Sequence, residues 1–400
     1  MRFSLDKIYS SLFFIICFSL AFIGDKFYAI PNGANIALVL LFPFIINWSQ
    51  LLNLLNKKLV IWFSAFVFFI FLKSVFLNNF IEDISQIKKL FQVLLLVILS
   101  FGLKEKNLSY LKSGIILGTF TACTYSLIKI CIIVFQTGVF NFTKGPLINE
   151  TLPVQRLYLG LLCTFSLIFV FERLLKNRKK LNLFLALFFV FFVFLIAGRI
   201  AVVSVLFIII YYVFTFLKSY MRYVAVLLIL LLTSVVVLTN NNLSQRIFHS
   251  DDNFRTSYFE KIEMHEPRFL IWKYSFEILK QTNLITGNGY SKTTEKLVNK
   301  YNNIPQQKKK NWFINKEFNT HNQYLDILIS QGILAGLLFL IFLSQAFKLA
   351  KESHTKLLLL ISMLIYMTVY NNFHRLIGVY LFALILIVIL SNDNAKKTIK

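Results

Sequence analysis

The sequence predicts an all-α polytopic membrane protein, with about twelve transmembrane helices and one large extracytoplasmic loop containing short helices. Three observations predict it. Of 400 residues, 57% are hydrophobic and only 15% charged, where soluble domains carry about a quarter charged. Apolar runs of roughly 20 residues, the length that crosses a bilayer at about 1.5 Å rise each, recur along the chain. One stretch breaks the pattern: Asn240 to Thr320 is polar, with 13 basic and 8 acidic residues. This composition excludes a cytoplasmic enzyme, a disordered chain and a secreted disulfide scaffold.

The apolar runs centre near Ile16, Leu38, Val67, Leu95, Thr124, Ser166, Phe189, Phe207, Leu230, Gly336, Leu364 and Ile385. The opening MRFSLDK followed by an apolar stretch resembles a signal peptide. It lacks a small-x-small cleavage site and many spans follow, so it reads as the first span. The chain divides into spans one to nine (1–239), the large loop (240–322), and spans ten to twelve with a tail (323–400).

The net charge is +24. In a soluble protein that excess would suggest nucleic acid; here the basic residues line the ends of spans, so the expected partners are membrane lipids and not nucleic acid. With the N-terminus inside, cytoplasmic segments hold 20 Lys and Arg, and the short loops on the other side hold 7. That bias puts both termini inside and the large loop outside. The four cysteines, Cys17, Cys123, Cys131 and Cys163, all fall in apolar runs, not at metal spacing in loops, and read as small core residues.

An ionisable group inside a span is a functional candidate. Lys73 and Lys129 qualify, although both also read as lysines snorkelling to the outer interface. No Asp or Glu lies deep in a span, which weakens an ion-coupled transporter reading. The chemistry is therefore expected where polar residues meet the outer surface. There, EPRFLIWKYSFEILKQ predicts a helix starting at Pro267, with Glu266 at the positive end of its dipole. Phe269, Trp272, Phe276 and Leu279 would form its apolar stripe, with Arg268 at the edge. A plain interfacial helix with a surface Arg explains that pattern equally well.

Gly287 and Gly289 in ITGNGY give a tight turn, either a simple connection or one where backbone approaches a phosphate. His321 and Asn322 stand at the mouth of the tenth span. An imidazole there suits a general base; a histidine capping the helix entrance is the alternative. Gly332 and Gly336 form a small-xxx-small pair, which predicts close helix packing. His374 and Arg375, in NNFHRLIG, are outer secondary candidates. His249 and His265 lack paired ligands, and His354 lies among cytoplasmic lysines. Asp251 and Asp252 are adjacent and read as solvated charges, so no metal site and no cofactor is expected. Arg199, in LIAGRIAVV, sits between two apolar runs with little loop to solvate it. Arg156 opens the sixth span as a ligand or a solvated interface residue.

Taken together, three segments resemble the bacterial O-antigen ligase and O-antigen polymerase (Wzy-like) superfamily. They are Arg199 directly after a span, RFLIW followed by ITGNGY, and THNQYLDILISQGILAG with ten residues between His321 and Gly332. Ligases of the family often have Leu four residues after the Arg of the second segment; here Trp272 stands there. The resemblance implies a GT-C-like, metal-independent glycosyltransferase of the bacterial inner membrane, working on its outer, periplasmic face. The donor would be a glycan on undecaprenyl pyrophosphate. The acceptor would be a hydroxyl of lipid A-core in a ligase, or a lipid-linked glycan in a polymerase. His321, Arg268 and Arg199 would be catalytic, and Arg156, Asn322, Gly287, Gly289 and Arg375 would bind substrate. The competing classes are a lipid-linked oligosaccharide transporter and a non-catalytic assembly subunit.

Overall fold

The computed structural model describes residues 2–24, 28–46, 48–104, 107–138, 150–240, 244 and 266–391. These residues form sixteen α-helices and no strand. The sequence readings at His249, Asp251, Asp252 and His265 fall outside them.

All twelve expected runs are helical. Eight are long and apolar enough to cross a membrane: α1 (Arg2–Ser19, continued by a 3-10 turn), α4 (Lys58–Phe76), α5 (Phe80–Leu99), α6 (Leu108–Thr137), α7 (Arg156–Lys176), α9 (Arg199–Phe216), α10 (Met221–Thr239) and α14 (Gln323–Ala350). The other four are shorter, at 17, 16, 14 and 15 residues: α2 (Ala29–Ile45), α8 (Lys180–Leu195), α15 (His354–Met367) and α16 (Leu376–Leu390). A short helix, α3 (Trp48–Leu55), precedes α4. The described part of the polar stretch carries α11 (Pro267–Gln281), α12 (Tyr290–Tyr301) and α13 (Gln307–Lys316).

The chain forms two compact units. The first comprises residues 1–40 and 106–261. In it α1 crosses α6 at Gly114 and Gly118, where an added Cβ would lie 2.7 Å from the Phe14 carbonyl oxygen and overlap that of Phe18. Gly114-x-x-x-Gly118 is thus the close-packing pair of the chain's small residues. Charges at the other end of α7 are paired, with Lys112 and Lys176 donating to Glu172 at 2.7 and 2.8 Å. Cys123 and Cys163 are buried with sulfurs 3.5 Å apart, and Cys17 is buried too; Cys131, expected inside, is exposed on α6.

The second unit comprises residues 41–105 and 262–400. Its span core is aromatic. Phe63 packs on Phe342 and Phe382 at 5.0 and 5.8 Å between ring centroids, Phe66 on Phe339 at 5.3 Å, and Phe373 on Phe382 at 4.9 Å. Offset and edge-on rings fill such a core densely.

The three short helices share a core with the first turns of α14. Leu270, Ile271, Tyr274 and Ile278 of α11 bury against Leu297, Tyr301, Phe313, Leu325 and Ile329. This corrects the expected stripe: Phe269 and Phe276 are exposed at 43% and 55%, and only Trp272 and Leu279 pack on that core, at its edge. The predicted register is about one residue off. Both registers have helical spacing, and only tertiary contact selects between them.

Candidate active site

The second unit gathers its polar side chains around an interruption in α14. At Gly332 the backbone takes φ 82°, ψ 178°, outside helical geometry. The expected packing role of Gly332 is therefore replaced by a break. An added Cβ would overlap the carbonyl oxygen of Ile285, so only glycine fits.

The turn after α11 fills the break. Asn288 N donates to Ile329 O at 2.9 Å, Gly289 N to Ser330 O at 2.7 Å, and Ile333 N to Leu284 O at 2.7 Å. Lys73 Nζ also donates to Ser330 O, at 2.9 Å. Carbonyls freed by the break are thus satisfied within the protein, as a low-dielectric surrounding demands. Gly287 N donates to Asn283 O at 2.8 Å. The N–H groups of Gly287 and Gly289 are bonded to the chain itself, so the phosphate-approach reading gives way to the plain structural turn. Lys73, too, is more than a snorkelling side chain. Lys129, by contrast, sits over the Tyr125 ring at 4.9 Å.

Beside the turn, Asp83 is 2% exposed and accepts from Tyr290 N at 3.1 Å and Ser291 N at 2.8 Å. A carboxylate at these first N–H groups of α12 suits the helix dipole. Its neighbour across the unit is Asp326, also 2% exposed, in the first turn of α14. Asp326 Oδ2 lies 2.8 Å from His374 Nε2, and its Oδ1 accepts from Thr320 Oγ1 at 3.2 Å. Asn371 Nδ2 donates to Thr320 Oγ1 at 2.8 Å, and Phe373 N to Gln323 Oε1 at 2.9 Å. This web ties the entry to α14 to the 371–375 segment. Sequence reasoning passed over Asp83 and Asp326, because both lie at the ends of spans.

His321 stands at the edge of the web. Its φ is +46°, a left-handed conformation rare for a non-glycine residue and concentrated at functional sites. Its ring packs between Phe318 and Tyr370, each 5.5 Å away by centroid, and its Nδ1 is buried with no hydrogen-bond partner among the described residues. Burial pushes its pKa down to about 3, reinforced by the charges of Arg268, Arg375 and His374. Arg268 Nε donates to Val369 O at 3.1 Å and its Nη1 is 4.0 Å from Glu266 Oε2. Arg375 is exposed, close enough to Lys89 for the cations to repel, and Lys89 Nζ donates to His374 O at 2.9 Å. Asn322 caps α14, its Oδ1 accepting from Tyr324 N and Leu325 N at 3.0 Å each.

Of the residues singled out from the sequence, the second unit therefore brings together His321, Arg268, Arg375 and His374. Arg156 and Arg199 belong to the first unit. Each is the first residue of a helix: Arg156 is 8% exposed at the start of α7, and Arg199 partly buried at the start of α9, after Gly198.

Two guanidinium groups from separate segments, Arg268 and Arg375, act on the buried His321 and can hold an anion with oxygen on both sides. Arg offers a planar fork for this purpose and keeps its charge at any working pH.

A family model described as O-antigen ligase matches residues 183–340. The match supports the O-antigen ligase/Wzy-like superfamily and contains all three segments that carried the resemblance. No curated protein matches the chain.

Proposed function

We propose that the chain, which carries an O-antigen ligase domain over residues 183–340, transfers a glycan from undecaprenyl pyrophosphate to a sugar hydroxyl on the outer face of the inner membrane. The observation that carries this reading is the family match over residues 183–340 together with the web that ties the His321 entry to α14 to the 371–375 segment, through Asp326 with His374 at 2.8 Å and Asn371 with Thr320 at 2.8 Å. In such a transfer the acceptor oxygen bonds to the anomeric carbon while the bond from that carbon to the phosphate oxygen breaks. The electron pair leaves on the pyrophosphate. Fixed guanidinium groups at the departing oxygens stabilise the charge where it develops, the contribution that is often largest in catalysis. Arg268 and Arg375 take that role here. The role of Arg199 and Arg156 at the donor rests on the family resemblance.

The acceptor of a ligase is lipid A-core. A polymerase runs the same chemistry on a lipid-linked acceptor. Purified protein in lipid, given a lipid-linked donor and each acceptor in turn, tests the reading: a new glycosidic bond is expected with one of them. Movement of the donor across the bilayer without bond formation would make the protein a transporter. In a deletion strain, full-length polymer stranded on the carrier marks a lost ligase, and single repeats on lipid A-core mark a lost polymerase.

A further inference from the structure

Helix α13 turns a mixed face outward. Lys308, Asn311, Trp312, Asn315 and Lys316 are exposed at helical spacing, while Phe313 behind them is buried. Trp312 is 42% exposed, and among the described residues of α13 it is the one large apolar side chain left open. Its indole is nevertheless fixed. Phe313 and Phe318 stand nearly edge-on to it, at 5.3 and 5.0 Å between ring centroids. The left-handed turn at Glu317 (φ +45°) folds Phe318 back onto it. Phe318 in turn lies 5.5 Å from the His321 ring. The open indole is thus one ring removed from His321.

A braced indole among amides suits a sugar. The C–H face of a pyranose packs on an aromatic face, whose negative quadrupole attracts polarised C–H groups. Asn amides offer both donors and acceptors to the hydroxyls around it. Asn311 is oriented by Gln307, whose Nε2 donates to its Oδ1 at 3.0 Å. Acyl chains would call for a different face. Such a face exists on α11, which turns Phe269 and Phe276 outward and is followed by exposed Leu284 and Ile285 in the turn bonded to α14. Helix α13 also carries four lysines and no carboxylate, with Glu317 following at its C-cap. That balance favours a glycan bearing carboxylate or phosphate groups.

The two flanks of His321 decide which glycan. Arg268 is bonded to Val369 O and Arg375 ends the 371–375 segment, so both arginines belong to the Tyr370 flank. Phe318 and Trp312 form the other. In a single displacement at an anomeric carbon, the entering oxygen comes from the face opposite the leaving group. A pyrophosphate held by the arginines therefore puts the acceptor on the Phe318 flank. Resting on the transferase reading above, we infer that Trp312, Asn311 and Asn315 form a binding subsite for the glycan of the acceptor, with Lys308 and Lys316 meeting its anionic groups.

The test is transfer by the full chain in lipid, from a lipid-linked donor to whichever acceptor, lipid A-core or a lipid-linked repeat, supports it. Trp312→Ala should raise the acceptor KM about tenfold, with the donor KM and the kcat at saturating acceptor little changed. Trp312→Phe keeps an aromatic face and should recover most of that loss. Asn315→Ala, at an exposed position outside the core, should also raise the acceptor KM, and it decides if Trp312→Ala does not fold. A merely structural role would lower thermal stability and kcat and would not separate the two KM values. An unchanged acceptor KM in Trp312→Ala overturns the inference, as does an equal rise in both KM values. The fluorescence difference between wild type and Trp312→Phe isolates this indole. The acceptor should shield that signal from acrylamide. Quenching of the same signal by brominated phospholipid would make Trp312 a membrane anchor and would also overturn the inference. If neither acceptor supports transfer, the transferase reading fails and this inference with it. Transfer with an unshifted acceptor KM removes the inference alone.

Discussion

Lys73 Nζ lies 2.9 Å from the carbonyl oxygen of Ser330, two residues before the Gly332 break in α14. One carbonyl thus receives both a lysine ammonium and the Gly289 N–H. The interruption is held open from two sides, which makes it a built feature of the unit.

The first prediction follows from that break. Gly332→Ala forces a side chain into a φ of +82° and onto the Ile285 carbonyl. Strain of this kind costs about 1–3 kcal/mol before the overlap is counted. A fall in melting temperature and loss of transfer are expected. Gly336→Ala, whose Cβ would meet only Leu328 Cδ2 at 3.1 Å, should be tolerated. Equal tolerance of both would show that the break is not required.

The second concerns geometry at the cations. Arg268→Lys and Arg375→Lys keep charge but lose the planar fork. Each should lose most activity, with Ala worse. Arg199→Lys is expected to behave alike if it serves the same donor. Near-normal turnover in all three Lys variants would leave only a general electrostatic attraction, and a strong salt dependence would accompany it.

The third concerns pH. With its pKa pushed down to about 3, His321 is neutral between pH 5 and 7. Its protonation cannot then cause a fall in activity in that range. His321→Gln should lower turnover without moving the acid limb. A limb near pH 6 that follows His321 would contradict its cationic surroundings.

The fourth concerns orientation. The asymmetry of Lys and Arg predicts that α11, α12 and α13 lie outside and the α14–α15 connection inside. In a cysteine-free background, Asn302→Cys should react with an impermeant thiol reagent in spheroplasts. Lys348→Cys should react only after lysis. Labelling of Lys348→Cys in intact cells would invert the topology.

Much of the fold was legible because it is one-dimensional. A span announces itself by length and apolarity, and Pro267 announces a helix start. Four of the spans are helices of only 14–17 residues, a length that composition alone does not fix. The register of α11 was not legible, since two stripes one residue apart both had helical spacing. Arg268, His321 and Arg375 could be named because cations and histidines at an outer interface are uncommon and have a family parallel. Their association could not be read, because it joins segments more than 50 residues apart through contacts such as Asn371 with Thr320. Asp83 and Asp326 escaped notice because a carboxylate near a span end looks solvated until its N–H or imidazole partner is known. Gly332 and Gly336 were misassigned for a related reason. Spacing cannot tell a glycine that admits a neighbouring helix from one that turns the backbone, and the packing pair was Gly114 and Gly118.

Every residue of α16 from Ile377 to Leu390 is buried, and Gly378 presses on the Asn372 carbonyl so closely that a Cβ would overlap it. This helix follows every other element of the second unit in chain order. On the ribosome, α4, α5, α14 and α15 are therefore inserted with an unfilled slot between them, and the 371–375 segment has nothing to brace it. A nascent chain halted before residue 376 already contains Arg268 and His321, yet His374 and Arg375 have no fixed place. Biogenesis thus leaves the 371–375 segment unbraced until the last helix of the unit has docked.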